Sequence, residues 1–182
     1  MVYIQFWQVM ALITALWCGV RAVCCLKKGS VRLKRELQLM LVYICIVVVA
    51  RFTFFPFSKV DGKIQPLVLE MDKIFSWRIN WIPFVNLMDY PTKREILINF
   101  IGNWAMFIPL GIVWPVCFKK LDSHKKVILA GIGCSLVIEI LQLPFYSRVT
   151  DIDDLLLNSF GFLVGYGIYL LTKGLGKRLA GK

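Results

Sequence analysis

Charge is scarce in this sequence. Of its 182 residues only 18% are Asp, Glu, Lys or Arg, while 58% are hydrophobic. Soluble domains carry roughly a quarter charged and about half apolar residues. The shortage, with a mean hydropathy of +0.69, excludes an ordinary soluble domain and points into a bilayer. Acidic residues are the scarcer sign, 11 against 22 Lys and Arg, for a net charge of +11. Such a balance suggests nucleic acid. The basic residues, however, stand between long apolar runs rather than on one surface, so no nucleic-acid partner is expected. Histidine is nearly missing. His124 sits among lysines in a short loop, where a solvated role is expected, and a metal site needing several histidines is excluded. The six cysteines, Cys18, Cys24, Cys25, Cys45, Cys117 and Cys134, show neither zinc spacing nor a secreted disulfide framework. Most lie in apolar runs, where Cys behaves as a small hydrophobe. No cofactor is expected.

What the sequence has instead is long apolar runs. A transmembrane helix needs about 20 predominantly apolar residues. Five candidates lie at about residues 4–26, 37–57, 96–118, 127–146 and 155–172. The first opens without a positive side chain, unlike a typical signal peptide. A compact bundle of five spans consumes nearly the whole chain, so a single domain over 1–182 is expected. Lys and Arg collect on one side of such a bundle: Lys27, Lys28, Arg32, Lys34 and Arg35 after the first span, Lys119, Lys120, Lys125 and Lys126 after the third, and Lys173, Lys177, Arg178 and Lys182 in the tail. The Lys/Arg bias sets topology, which predicts the N-terminus outside and the C-terminus cytoplasmic. On the outer side lies a long segment over 58–95. Leu67, Val68, Met71, Ile74 and Phe75 recur there at helical spacing, followed by Trp77 and Trp81. An outer interfacial helix or loop is therefore expected.

Polar groups inside spans are costly and default to function. Ser135, Glu139 and Gln142 fall at i, i+4 and i+7, on one helical face. Asn99 and Asn103 share a face of the third span. Asp154, Asn158, Gly161 and Gly165 share one of the fifth. Arg51 and Thr53 lie in the second. At 1.5 Å per residue, Asn99 and Glu139 sit about 10 Å, Asn158 about 12 Å and Arg51 about 9 Å from the outer end. Nothing comparable is expected in the inner half. Asn and Gln could simply hold helices together at about 1 kcal/mol or less each, but a carboxylate must be paired or used, and Arg51 is the expected partner of Glu139. Gly161 and Gly165 suit close helix packing, and Pro109 suits a kink. Thr92 and Glu95 have capping-box spacing at the start of the third span. Asp151, Asp153 and Asp154 could hold a hard cation or cap the fifth helix. The run lacks the length and glycine of an EF-hand, and no metal site is expected.

These residues resemble the VanZ-like family. The resemblance is carried by Asn99-Phe-Ile-Gly-Asn103 with Phe107-Ile-Pro-Leu-Gly111, by Ser135-Leu-Val-Ile-Glu139-Ile-Leu-Gln142, and by Arg148-Val-Thr-Asp151-Ile-Asp-Asp154 with Asn158-Ser-Phe-Gly161 and Gly165-Tyr166. Thr53-Phe-Phe-Pro56 and Asn80-Trp-Ile-Pro83-Phe84 look similar too, so the likeness covers roughly residues 40–172. Arg51 stands outside these motifs. The resemblance implies a bacterial cell-membrane protein associated with reduced susceptibility to teicoplanin and related lipoglycopeptides, or a broader cell-envelope role.

The expected fold is therefore all-α, a polytopic membrane protein of about five helices. The expected partners are membrane lipids or lipid-linked envelope molecules, with a lipoglycopeptide among the candidate ligands. Glu139, Gln142, Asp151 and Asp154 are the catalytic candidates. Arg51, Asn99, Asn103, Arg148, Asp153 and Asn158 are the ligand-binding ones. Three functions are open: binding or modifying an amphiphile at the outer leaflet, a non-enzymatic lipid- or drug-binding scaffold, and a small transporter or proton pathway. The last would need polar residues through the inner half as well.

Overall fold

The computed structural model describes residues 1–55, 59–85, 92–146 and 148–180. Five α-helices dominate them: α1 (Phe6–Lys28), α2 (Leu33–Phe54), α3 (Lys93–Cys117), α4 (His124–Gln142) and α5 (Ile152–Ala180). The chain is an all-α membrane protein. Stretches of α1, α2, α3 and α5 are each long and apolar enough to cross a bilayer. α4 is shorter, at 19 residues, with His124, Lys125 and Lys126 at one end and Glu139 near the other.

Local chemistry sets the helix ends. Gly29 closes α1 with φ +63°, its N–H donating to Leu26 O at 3.2 Å; a left-handed terminus of this kind favours glycine. α2 starts four residues before the expected Leu37 and takes in Lys34, Arg35 and Glu36. α4 stops at Gln142 rather than Tyr146, because Pro144 cannot continue a helix. The T-x-x-E spacing at α3 involves Glu95, whose side chain lies outside the described part.

The segment expected as an interfacial helix is mostly strand and turn. Its pieces are β2 (Lys59–Val60), β3 (Lys63–Ile64), β4 (Leu67–Leu69), a 3-10 turn at Met71–Lys73 and β5 (Ile79–Asn80). Short apolar spacing cannot nucleate a helix by itself, and the chain offers better partners. β1 (Val2–Ile4) pairs antiparallel with β4, Val2 opposite Leu69 and Ile4 opposite Leu67. Asp61 and Gly62, at φ +50° and +73°, turn β2 into β3; Asp-Gly is a strong two-residue hairpin signal.

The chain divides into two compact units, Met1–Ser76 with Pro144–Ser147, and Trp77–Leu143 with Arg148–Lys182. In the first, α1 buries no residue and meets α2 through polar and aromatic contacts. Thr14 Oγ1 and Tyr43 Oη lie 2.7 Å apart, and Arg21 Nε donates to Glu36 Oε2 at 2.8 Å. This ion pair lies at the basic end of the two helices, where no polar partnership was expected.

In the second unit, α3 and α5 run side by side in the same direction, with α4 packed on α5. Met106, Phe107, Leu110, Val127, Ile138 and Phe162 are buried. The close approach depends on glycine. A Cβ at Gly161 would overlap the carbonyl oxygen of Trp104, one at Gly165 that of Ile108, and one at Gly111 that of Phe162. Small residues let helices approach this closely in lipid. Outward positions such as Leu97, Ile101, Leu129, Val137, Leu163 and Leu171 are exposed and apolar, as lipid-facing helices require.

Candidate functional site

The polar positions of α3, α4 and α5 meet inside the second unit. α4 contributes Ser135, Glu139 and Gln142 from one face, at 0%, 3% and 5% exposure. α5 contributes Asp154 and Asn158 one turn apart, and α3 contributes Asn99 and Asn103. Asn158 Nδ2 donates to Ser135 Oγ at 3.1 Å. Asn103 Nδ2 donates to Asn99 Oδ1 at 2.9 Å and also to Asp154 Oδ1. One asparagine thus ties α3 to α5, and another ties α5 to α4.

Glu139 is the least conventional member. Its Oε2 accepts the backbone N–H of Asp151 at 3.2 Å, while Thr150 Oγ1 donates to the Glu139 carbonyl at 3.1 Å. Among the described residues no Lys or Arg lies within ion-pair distance of its carboxylate. Glu139 and Asp154 are close enough for their charges to act on each other, and Arg148 is the cation that acts on Asp154. The amide oxygen of Asn158, 1% exposed, accepts no hydrogen bond from the described residues. The cluster therefore presents an unmatched acceptor at Asn158 in a buried setting, where leaving a polar group unmatched costs about 1–3 kcal/mol.

The acidic run after α4 has a different use. β6 (Thr150–Asp151) pairs in parallel with β5, Asn80 facing Asp151. Asn80 Nδ2 donates to both carboxylate oxygens of Asp151 at 3.1 and 3.2 Å. Asp151 Oδ1 also accepts the Asp153 N–H at 3.0 Å, the geometry of a helix N-cap. Asp153 accepts the Phe84 N–H through both oxygens, at 2.9 and 3.0 Å. Phe84 has φ +62°, a left-handed conformation that costs a bulky residue about 1–3 kcal/mol, and the two-oxygen grip helps hold it. Of the two readings of this run, capping describes Asp151, while Asp153 holds the turn at Phe84.

The profile of the VanZ/LLP1 family matches residues 40–173, from within α2 to within α5. The chain belongs to the VanZ/LLP1 family. Protein VanZ of Enterococcus faecium is similar to it, 30% identical over 110 residues, or 60% of this chain and 63% of that relative. The matched region thus spans less than two thirds of that protein. No solved structure matches the chain.

Of the expected site residues of this VanZ/LLP1 chain, the second unit brings together Asn99, Asn103, Glu139, Gln142, Asp151, Asp153, Asp154 and Asn158, with Arg148 acting on Asp154. Arg51 belongs to the first unit, where its Nη1 donates to Phe55 O at 3.3 Å and its guanidinium carbon lies 5.7 and 5.2 Å from the ring centres of Phe6 and Phe52. Three residues absent from the expected site belong to the network, Ser135, Asn80 and Thr150. Ser135 was legible from its i, i+4 relation to Glu139. Asn80 was legible only as part of the N-W-I-P-F stretch. His124, expected to be solvated, has its Nδ1 2.9 Å from the Tyr166 hydroxyl: the three-residue link between Lys120 and α4 brings the ring against α5.

Proposed function

We propose that this VanZ/LLP1 protein lowers susceptibility to teicoplanin and related lipoglycopeptides by binding or modifying an amphiphile at the outer leaflet, with the Glu139–Asn158 cluster holding its headgroup. The observation that carries this reading is the Glu139 carboxylate, 3% exposed and without an ion-pair partner among the described residues. A carboxyl at that depth in a membrane helix is expensive, and Gln or Leu would pack as well. Its retention argues that the charge or the proton is used. The unmatched amide oxygen of Asn158 and the Glu139 carboxylate suit hydroxyl or amine donors of a headgroup, and Arg148 suits an anionic group beside them. The Lys/Arg bias supports an orientation with the cluster in the outer half and the C-terminus cytoplasmic.

The engagement of Asp151 and Asp153 by N–H donors favours a variant of this reading. In that variant the site binds without chemistry, and the acidic run is a clasp rather than a set of catalysts. Glu139→Gln decides between charge and shape. Expressed in a glycopeptide-susceptible host, it should reach the membrane in parental amounts and lose most of the protection. Parental protection by Glu139→Gln would reject the acidic-site mechanism in favour of a scaffold.

A further inference from the structure

The end of the second unit opposite Glu139 carries a separate cleft. Its volume is about 450 Å³, and Lys119, Asp122, His124, Tyr166, Tyr169 and Lys173 are among its lining residues. It forms where the end of α3, the start of α4 and the Tyr166–Lys173 stretch of α5 meet. His124 opens α4 and Glu139 lies four turns further along it, about 22 Å away at the helical rise. The cleft and the Glu139 cluster are therefore distinct sites.

The cleft's charge is positive and available. Asp122, its one acid, is bound to Lys126, Nζ to Oδ1 at 2.8 Å. Lys119 and Lys173 are exposed, and neither has a carboxylate partner among the described residues. The wall is rigid and aromatic. Tyr166 and Tyr169 stack with ring centres 6.1 Å apart and planes 16° apart, and Lys173 Nζ lies 5.5 Å from the Tyr169 centre. The Tyr166–His124 hydrogen bond fixes that side of the cleft. Pro115, Leu121 and Leu170 complete the lining, and Leu170 and the neighbouring Val116 are exposed and apolar.

We propose that this cleft binds the phosphate of an anionic glycerophospholipid from the leaflet on the basic side. Two ammonium groups without a carboxylate partner among the described residues, beside hydrogen-bonding rings, match a phosphodiester. The exposed side chains of Leu170 in the lining and of Val116 next to Pro115 match its acyl chains. Basic pockets between transmembrane helices take acidic headgroups by this chemistry, and each lysine near an anionic surface contributes about 1 kcal/mol. A soluble phosphate ester shares the headgroup's chemistry but not its chains.

The test uses the full chain purified in detergent, titrated with phosphatidylglycerol, phosphatidylcholine and sn-glycerol 3-phosphate, with bound lipid counted by native mass spectrometry. The parent should prefer phosphatidylglycerol over phosphatidylcholine. Lys119→Ala/Lys173→Ala should weaken that binding roughly tenfold or more. Lys27→Ala/Lys28→Ala, which removes equal charge from the exposed last turn of α1, should change it less than about twofold. Equal binding by the parent and the Lys119/Lys173 variant overturns the site, and so does an equal loss in the Lys27/Lys28 control. Glycerol 3-phosphate displacing the lipid at comparable concentration would make a soluble phosphate ester the ligand and overturn the lipid assignment.

Discussion

Gly165→Ala should loosen the second unit, and the geometry sets how much. The added methyl would overlap the Ile108 carbonyl oxygen and lie 2.9 Å from its carbon and 3.1 Å from Gly111 Cα. These are backbone atoms, which cannot rotate away, so α5 must move off α3. Overpacking of this kind costs about 1–3 kcal/mol. For a chain of this size each kcal/mol lowers the melting midpoint by roughly 2–4 °C, so a fall of about 2–12 °C is expected for the purified protein. Gly167, two residues further along the same helix, meets nothing within 4 Å when a Cβ is added. Gly167→Ala should therefore match the parent or exceed it slightly, since alanine is the better helix former. Fluorescence-detected thermal unfolding in detergent would compare all three. If Gly165→Ala and Gly167→Ala melt together, close α3–α5 packing is not what the glycine supports. Gly161→Ala makes the same clash against Trp104, the neighbour of Asn103. It should therefore also strain the Asn103–Asp154 bond and reduce any Glu139-dependent protection.

Other expectations follow from the clasp and the topology. Asn80→Ala and Asp151→Ala each break the same pair of hydrogen bonds, so a double-mutant cycle on thermal stability should give a coupling of about 0.5–3 kcal/mol; strict additivity would mean the contact carries no energy. Asp153→Ala should release Phe84 from its left-handed conformation and speed proteolysis within Trp77–Val85, while unchanged cleavage would deny the grip. Single cysteines at positions 122 and 180, on a cysteine-free background, should resist a membrane-impermeant thiol reagent on intact cells; labelling of either would reverse the proposed orientation.

How far these features could be read from the sequence depends on the range of the interaction behind each. Helices of about 20 apolar residues are dictated by bilayer thickness and local composition, so α1, α2, α3 and α5 were legible, with errors confined to their ends. Those errors have local causes, such as Pro144 stopping α4. Periodicity also placed Ser135, Glu139 and Gln142 on one face, and Asp154, Asn158, Gly161 and Gly165 on another. Which face met which was not legible, because a 3.6-residue repeat states direction but not neighbour. The outer segment failed for a related reason. Leu67–Leu69 is short enough for helix and strand to compete on equal terms. The winner was set by Val2–Ile4, more than sixty residues earlier in the chain, which no window around Leu67 contains.

The acidic run shows the same limit in chemical form. Three aspartates within four residues look like a ligand set because their partners are not in view. Asp151 and Asp153 have their oxygens turned toward N–H groups of Asn80, Phe84 and the run itself. Asp154 turns to α3, through Asn103. The run thus divides into two residues that secure the loop over the end of α4 and one that joins the buried cluster. The loop's hold on Glu139 is the link between the parts, since the Asp151 N–H that Glu139 accepts is fixed in place by the carboxylate of that same residue on Asn80. Loosening the clasp should consequently alter the environment of Glu139 even though Asn80 does not touch it. Asn80→Ala is the cleanest way to see that coupling, because it leaves every carboxylate of the cluster intact. Full protection by Asn80→Ala alongside a lost Asn80–Asp151 coupling would show that the clasp and the Glu139 site act independently.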